Sequence, residues 1–277
     1  MYQDPTTYCD KPNKPQKHPH FEHRTKKLDM KNNEFTSKKF QRVRHVSNER
    51  KLLKSMKRIG KCLNDSTPAD IQTQGLQKVC FIMINFYEHE KHNPKIGPLN
   101  DAYLFGANQH RQGFKVFYLY NCERNQYVQF FNLFLKFTLK CLTVFYSGPM
   151  TDGSNGIEFK ESDLSSNESN QLINENYNHR CKVVFITDST SSGSVFNDGQ
   201  LPENVISLSA GKSTDPDSKE GRRSHGISTY YLCKIFNDCP NITPQFLEKR
   251  MNDSIRRFNS SFIVETDQET MNKPIFE

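Results

Sequence analysis

Residues 79–87 read VCFIMINFY, a run that contains no charged side chain. Its continuous apolarity, without alternation, is typical of a strand buried on both faces of a parallel sheet. Further apolar runs occupy Phe114–Tyr120, Cys141–Tyr146, Cys181–Thr187 and Asn204–Ala210. Segments with helical character alternate with these runs, which indicates βαβ units. We therefore expect an α/β fold with a mostly parallel central sheet.

The helices expected around these strands follow the spacing of apolar side chains and the positions of helix-ending residues. They cover Leu99–Gln112, ended by Gly113, then Asn125 to about Lys140, about Gly226–Asn237 and Thr243–Phe258. The last begins with Thr243 as N-cap and a proline at the first helical position. Residues 162–178, SDLSSNESNQLINENYN, are polar and predict a mobile surface loop.

Basic charge is concentrated at the amino-terminal end. The chain carries a net charge of +7, of which residues 1–74 contribute a balance of +9 and the remainder −2. Residues 1–44 are rich in Pro, Lys, His and Asn, which predicts a disordered arm. Residues 47–63 predict an amphipathic basic helix with Ser47 as a possible N-cap. We expect two regions, a basic and largely disordered arm at 1–74 and a folded domain at 75–277.

Two interpretations of the basic helix stay open. It could contact an acidic protein, a membrane surface or nucleic acid, or it could dock on its own domain and expose a solvated basic face, which we favour. The sequence contains no zinc-finger spacing or other nucleic-acid motif, which argues against a nucleic-acid partner. The hydrophobic fraction of 34% is below the roughly 45–50% of an ordinary domain, as expected if part of the chain lies outside a core.

The compartment is predicted from what the sequence lacks. A membrane-spanning helix needs about 20 apolar residues, and Lys136 and Lys140 interrupt the most apolar stretch, Gln129–Tyr146. The amino terminus has neither the basic start nor the apolar middle of a secretory signal. We therefore expect a cytoplasmic protein without a transmembrane segment. Its eight cysteines, scattered without a CxxC pair, are then expected to be reduced thiols.

Polar segments follow the predicted strands, at the edge where parallel sheets bind ligands. Residues 99–101 read LND, 146–150 read YSGPM and 188–193 read DSTSSG. Residues 210–214, AGKST, look like half of a phosphate loop. However, Ile206 stands where such a loop needs its first glycine, so we do not expect a nucleotide there.

The order of these segments resembles the caspase/metacaspase peptidase family, and the metacaspase branch most closely. That branch carries YSGHG after its third strand and DSCHSG after its fourth, where this chain has YSGPM and DSTSSG. Supporting matches run from about Val79 to Phe276 and include NVISLSA at 204–210 and HGISTYYLCKIF at 225–236. The resemblance implies a caspase-like three-layer sandwich, in which helices cover both faces of a mostly parallel central sheet.

The departures from the family fall on its catalytic dyad. In the family, the Cys of DSCHSG attacks the peptide carbonyl while the His of YSGHG shuttles protons. The matching positions here are Thr190 and Pro149. Proline cannot transfer a proton, and an unassisted threonine hydroxyl is a poor nucleophile at neutral pH. The resemblance therefore implies a pseudopeptidase in which no catalytic residue is intact.

The resemblance implies that the specificity pocket is retained. Metacaspases cleave after Arg or Lys, and the positions that receive this basic side chain match Asp101, Ser147 and Asp188. Two carboxylates and a hydroxyl suit a guanidinium or ammonium group, which donates charge-assisted hydrogen bonds. An alternative stays open, in which both aspartates cap adjacent helices and Ser147 satisfies a turn.

The leading function is a catalytically impaired caspase/metacaspase-like protein that binds basic peptide segments or regulates an active cysteine peptidase relative. A second possibility is a weakly active peptidase that uses Thr190, Ser189 or Ser191. A third is a binding module that acts through its basic arm. Calcium activates part of the family, but the acidic residues that could bind it are scattered, so we expect no metal and no cofactor. Those residues are Asp152, Asp163 and Asp198.

Overall fold

The computed structural model describes residues 49–85, 97–148, 150, 156–188, 201–212, 225–258 and 260–276. All of them belong to one compact unit, Ser47–Glu277. The predicted disordered arm at 1–44, the possible N-cap Ser47 and the end of the first predicted strand, Phe86 and Tyr87, lie outside the described residues.

The described residues form six α-helices and seven strands. The helices are α1 Glu49–Ile59, α2 Gly97–Arg111, α3 Arg124–Phe137, α4 Ser166–Asn176, α5 His225–Asp238 and α6 Pro244–Ile255. The strands are β1 Gly60–Cys62, β2 Lys78–Ile84, β3 Lys115–Tyr120, β4 Cys141–Ser147, β5 Lys182–Asp188, β6 Val205–Lys212 and β7 Ser260–Glu265. No helix in these ranges is long and apolar enough to cross a membrane.

The seven strands form one sheet in the order β1-β3-β2-β4-β5-β6-β7. Strands β1 to β6 run parallel, and β7 pairs antiparallel with β6 at one edge. The predicted α/β class with a mostly parallel sheet is therefore confirmed. Because the strands point the same way, the carboxyl ends of β2, β4, β5 and β6 meet at one edge, which we call the carboxyl edge.

Helices cover both faces of this sheet. Phe81 of β2 contacts Tyr127 and Phe134 of α3, with ring centroids 5.6 and 5.1 Å apart. Gly106 of α2 packs closely on Ile82 of β2, because a Cβ at this glycine would lie only 2.9 Å from Cδ1 of Ile82. Successive strand residues point to opposite faces, so α3 and α2 lie on opposite sides of the sheet. Helix α4 packs beside α3, and α1, α5 and α6 lie on the α2 side. The predicted three-layer arrangement is confirmed.

The amino-terminal helix is part of this unit. Leu52 and Met56 are buried, and α1 packs against α2, which is the docked arrangement that we favoured. The helix ends at Ile59 rather than Leu63, because the chain continues as β1, which pairs with β3. Glycine is needed at residue 60, since a Cβ there would lie 2.8 Å from the carbonyl oxygen of Val116. The compact unit that contains α1 spans Ser47–Glu277.

Two further elements correct the sequence predictions. The segment predicted as a loop contains α4, which begins with a capping box: the Glu168 backbone N–H donates to Ser165 Oγ, and the Ser165 N–H donates to the Glu168 carboxylate. The sequence did not predict β7. This edge strand has only a short alternation, in which Phe262 and Val264 are buried while Ser261 and Ile263 are exposed.

We predict that Phe145→Ala destabilises the fold by about 3–5 kcal/mol, the usual result of truncating a buried phenylalanine. Phe145 is fully buried on the α2 side of the sheet and stacks on Phe105 of α2, with ring centroids 4.6 Å apart. The free energy of unfolding from denaturant titration measures the loss. Phe137→Ala is the matched control, because Phe137 is 38% exposed. A loss no larger than that of the control would contradict the packing described here.

Candidate functional site

A polar pair lies at the carboxyl edge, between the two central strands. Ser147 ends β4 and Asp188 ends β5, and the two residues are direct partners in the register of these strands. Ser147 lies two residues after Phe145, which stacks on α2, so its side chain points to the α2 face. The Asp188 carboxylate accepts a hydrogen bond on the same face, because Thr229 Oγ1 of α5 donates to Asp188 Oδ2 at 2.5 Å.

The third predicted residue, Asp101, reaches the same region from α2. Its side chain is buried, and it acts electrostatically on the thiol of Cys233 in α5. Burial raises the pKa of Cys233 far above its ordinary value, and the carboxylates of Asp101 and Asp188 both raise it further. Ser147 and Asp188 are therefore partners at the carboxyl edge, and Asp101 is buried in the second turn of α2, the helix that packs against α5.

Ser147 supplies a buried hydroxyl at this place. The residue is 1% exposed, and its Oγ has no hydrogen-bond partner within the described ranges. A buried polar group that lacks a partner costs about 1–3 kcal/mol, so such a group in a native fold calls for an explanation. A ligand that donates a hydrogen bond at the end of β4 would supply the missing partner.

The helix-capping alternative does not describe Asp101. Helix α2 begins at Gly97, so Asp101 lies inside the second turn rather than at the N-cap. Asp188 is the last residue of β5, and the residues directly after it lie outside the described residues. Its carboxylate accepts a hydrogen bond from Thr229, a side chain of a packed helix.

Two residues of this site were not predicted from the sequence. Thr229 and Cys233 are 1% and 3% exposed and lie four positions apart on α5, so they face the same way. The four-residue spacing of Thr229 and Cys233 is visible in the sequence HGISTYYLC. Only the packing of α5 against α2 shows that these two residues lie on a buried face of the helix. Asn108 of α2 fixes this packing, because its Nδ2 donates to the Cys233 carbonyl at 3.1 Å.

Two buried thiols lie on the α2 side of the sheet, those of Cys80 and Cys233, and neither is a reactive nucleophile. Cysteine attacks as a thiolate, and burial raises the pKa of Cys80 to about 12, while that of Cys233 is also raised. Both therefore remain protonated at neutral pH. The seven cysteines within the described ranges are all unbridged, and five of them are buried, which agrees with the expected reduced thiols.

Backbone packing holds the end of β4 in place. The Asn85 N–H donates to the Ser147 carbonyl at 3.0 Å, and Asn85 Nδ2 donates to the Glu158 carbonyl at 2.7 Å. A Cβ at Gly148 would lie 2.8 Å from the carbonyl oxygen of Asn85. Backbone atoms leave no room for a side chain, so the glycine of the YSG segment is required sterically.

Some of the predicted positions lie outside the described residues, namely Pro149 and Thr190, predicted from the sequence to replace a catalytic dyad, and Ser189 and Ser191. Among the acidic residues weighed for calcium, Asp163 is exposed, and Asp152 and Asp198 are outside the described residues. Within the described ranges, no group of three His, Cys, Asp or Glu side chains could hold a metal ion.

Comparison with solved structures identifies the architecture. The structure of pro-sf-caspase-1 matches with a TM-score of 0.50 and 12% sequence identity, over 69% of this chain and 92% of that one. The fold is caspase-like. The Drosophila initiator caspase Dronc matches with a TM-score of 0.49 and 11% identity, over 72% of this chain and 82% of that one. No family model and no curated sequence matches the chain.

Identity this low establishes the caspase-like fold alone. Chemical roles must therefore be argued from the residues of this chain. Within this caspase-like sheet, the described part of the carboxyl edge presents the row Ile84, Ser147, Asp188 and Ala210. The two polar members of the row are central, and α2 and α5 cover them.

We predict that Thr229→Val lowers the free energy of unfolding by about 1–3 kcal/mol. Valine keeps the shape of threonine but removes the hydroxyl that donates to the buried Asp188 carboxylate. Denaturant titration at neutral pH measures the change. Thr229→Ser is the matched control because it keeps the hydroxyl, and it should retain most of the stability. Equal losses for both variants would mean that the bond to Asp188 contributes nothing.

Proposed function

We propose that this chain is a catalytically impaired, metacaspase-like pseudopeptidase that binds basic peptide segments through Asp101, Ser147 and Asp188. Its partner is a protein with an accessible arginine or lysine, such as an active cysteine peptidase relative that it regulates. Its compartment, under the same proposal, is the cytoplasm. The observation that carries the proposal is the buried Ser147–Asp188 pair at the carboxyl edge, in which the Ser147 hydroxyl has no partner in the described part of the chain, together with the buried Asp101 of α2.

The electrostatics of this arrangement favour a cation. Two carboxylates near one another repel, and burial strengthens the repulsion because the interior has a low effective dielectric constant. A guanidinium group relieves that repulsion and donates several hydrogen bonds in a planar fork. It would also offer a donor to Ser147 Oγ. An anionic or apolar side chain would give no such relief.

The impairment follows from the residue types at the dyad positions. Pro149 has no proton to transfer, and Thr190 carries a hydroxyl in place of a thiol. Losing one member of a nucleophile–base unit typically reduces the rate by about 10⁴- to 10⁶-fold. Cys80 and Cys233 are protonated and buried, which also argues against either of them as a substitute nucleophile.

Binding of a short arginine peptide, compared with the same peptide carrying citrulline, tests the pocket. Citrulline has nearly the same shape but no charge, so we expect it to bind at least about tenfold more weakly, the loss expected when a charge-assisted contact is removed. Isothermal titration calorimetry measures both affinities. Equal binding of the two peptides would contradict a charge-selective pocket.

Variants locate that binding. Asp188→Asn should weaken arginine-peptide binding about tenfold or more, and Ser147→Ala should weaken it less without disturbing the fold. Asp163→Asn, which removes one exposed carboxylate elsewhere, is the control and should bind like the unchanged chain. If Asp163→Asn weakened binding as much as Asp188→Asn, the effect would come from net charge alone.

Restoring the dyad tests the impairment separately. The unchanged chain should show no cleavage after Arg or Lys, whereas the double variant Pro149→His, Thr190→Cys should gain cleavage. The matched control is the double variant Pro149→His, Thr190→Ala, which has the restored base but no nucleophile and should stay inactive. Peptides with a fluorogenic leaving group measure the rate. Turnover by the unchanged chain that depends on Thr190 would contradict the proposal and favour a weakly active peptidase.

A further inference from the structure

The amino-terminal helix presents a strongly basic face to solvent. On one side, α1 is buried in the fold through Leu52 and Met56. Every exposed residue of α1 is basic and lies on the opposite side of the helix, and these residues are Arg50, Lys51, Lys54, Lys57 and Arg58. We call these five residues the α1 basic face.

Helical spacing makes these cations neighbours. Arg50, Lys54 and Arg58 are four positions apart, so they form one row along the helix. Lys51 and Lys57 flank this row, and each is three positions from Lys54. Like charges at these spacings destabilise a helix. The α1 basic face therefore raises the free energy of the folded protein until an anion neutralises it.

The described part of the protein supplies no carboxylate partner for this face. No ion pair within the described ranges includes a residue of α1. The acidic residue of the helix, Glu49, is three and four positions from Leu52 and Leu53, so it is not a helical neighbour of any of the five cations. The main packing partners of α1, which are α2 and β1, contain one acidic residue, the buried Asp101.

Two kinds of anionic partner fit this face poorly. An amphipathic helix binds a membrane by burying its apolar side in lipid, but that side of α1 is already packed in the fold. A broad anionic surface, such as a membrane or a nucleic-acid duplex, would also meet the exposed Asp70, whose carbonyl accepts from Lys61 Nζ at 3.1 Å just beyond α1. Single-stranded nucleic acid stacks its bases on aromatic side chains, and α1 contains none.

We propose that the α1 basic face is a docking site for an extended acidic segment of a partner protein. In an extended chain, side chains on one side are two residues and about 6.6 Å apart. Successive cations of the row Arg50, Lys54 and Arg58 rise about 6 Å along the helix. Carboxylates at every second position of the segment therefore meet successive cations, and the two arginines can bind a carboxylate in a bidentate fork. The contact does not involve the carboxyl edge, so it stands or falls separately from the binding of basic peptides.

A fluorescent peptide of about twelve residues, with glutamate at every second position and alanine between, is the probe. Fluorescence anisotropy with up to about 0.2 mM of the full chain, at about 0.15 M salt, should show saturable binding. The same peptide with glutamine in place of glutamate should bind at least about tenfold more weakly. No saturable binding, or equal binding of the two peptides, would overturn the proposal.

Charge reversal at the centre of the face separates binding from folding. Lys54→Glu should weaken binding of the glutamate peptide about tenfold, because repulsion replaces attraction. Its melting temperature should be equal or higher, because the new carboxylate lies four positions from both Arg50 and Arg58. Unchanged binding would place the peptide elsewhere on the chain and overturn the proposal. A lower melting temperature would contradict the mutual repulsion on which the proposal depends.

The matched control is Lys249→Glu, which reverses an exposed charge of α6, the helix that packs against β7 at the other end of the sheet. Its binding should stay within about twofold of the unchanged chain. An equal loss in Lys249→Glu would show attraction to net charge only and would overturn the proposal. Tighter binding to duplex DNA, or to vesicles of equimolar phosphatidylserine and phosphatidylcholine, that is lost in Lys54→Glu would assign the face to that partner instead and would also overturn it.

Discussion

The parallel, in-register pairing of β4 with β5 is the constraint on which the other features depend. Seven consecutive residue pairs link the two strands, from Cys141 with Lys182 to Ser147 with Asp188. One end of this ladder therefore carries a hydroxyl beside a carboxylate, and the other places a lysine at the strand start. A slip of one residue would turn Ser147 and Asp188 to different faces and separate them.

The burial of charged groups is the second constraint, and α5 helps to meet it by supplying a hydrogen bond to a buried carboxylate. A carboxylate that is taken out of water needs hydrogen bonds or a cation, and Thr229 provides one such bond to Asp188. Asn108 ties α2 to the backbone of α5, so Asp101 and Thr229 are positioned by the same helix pair. The described side chains Asp188 and Thr229 are therefore positioned before any ligand arrives, and preorganisation reduces the entropy lost when binding orders side chains.

Much of the fold follows from the sequence because its central strands are continuous apolar runs. Strands β2, β4 and β5 are buried on both faces, and short continuous apolar runs such as theirs are typical of strands in a parallel sheet. The placement of Ser147 and Asp188 followed from the same runs, since each residue directly follows a predicted one. The elements that were missed carry weak periodic signals: β1 has three residues, β7 is half exposed, and α4 is polar. The capping box at Ser165 and Glu168 was the signal available for α4.

The remaining site residues depend on packing between distant segments. Thr229 meets Asp188 across 41 positions of the chain, and nothing local to either residue specifies that contact.

The central claim is that Asp101, Ser147 and Asp188 form one pocket for a basic side chain. A crystal structure of the chain with a bound arginine peptide tests it most directly. We expect the guanidinium within about 2.7–2.9 Å of carboxylate oxygens of both Asp101 and Asp188, with Ser147 Oγ accepting a further hydrogen bond. A guanidinium bound elsewhere, or carboxylates facing separate cavities, would contradict the claim.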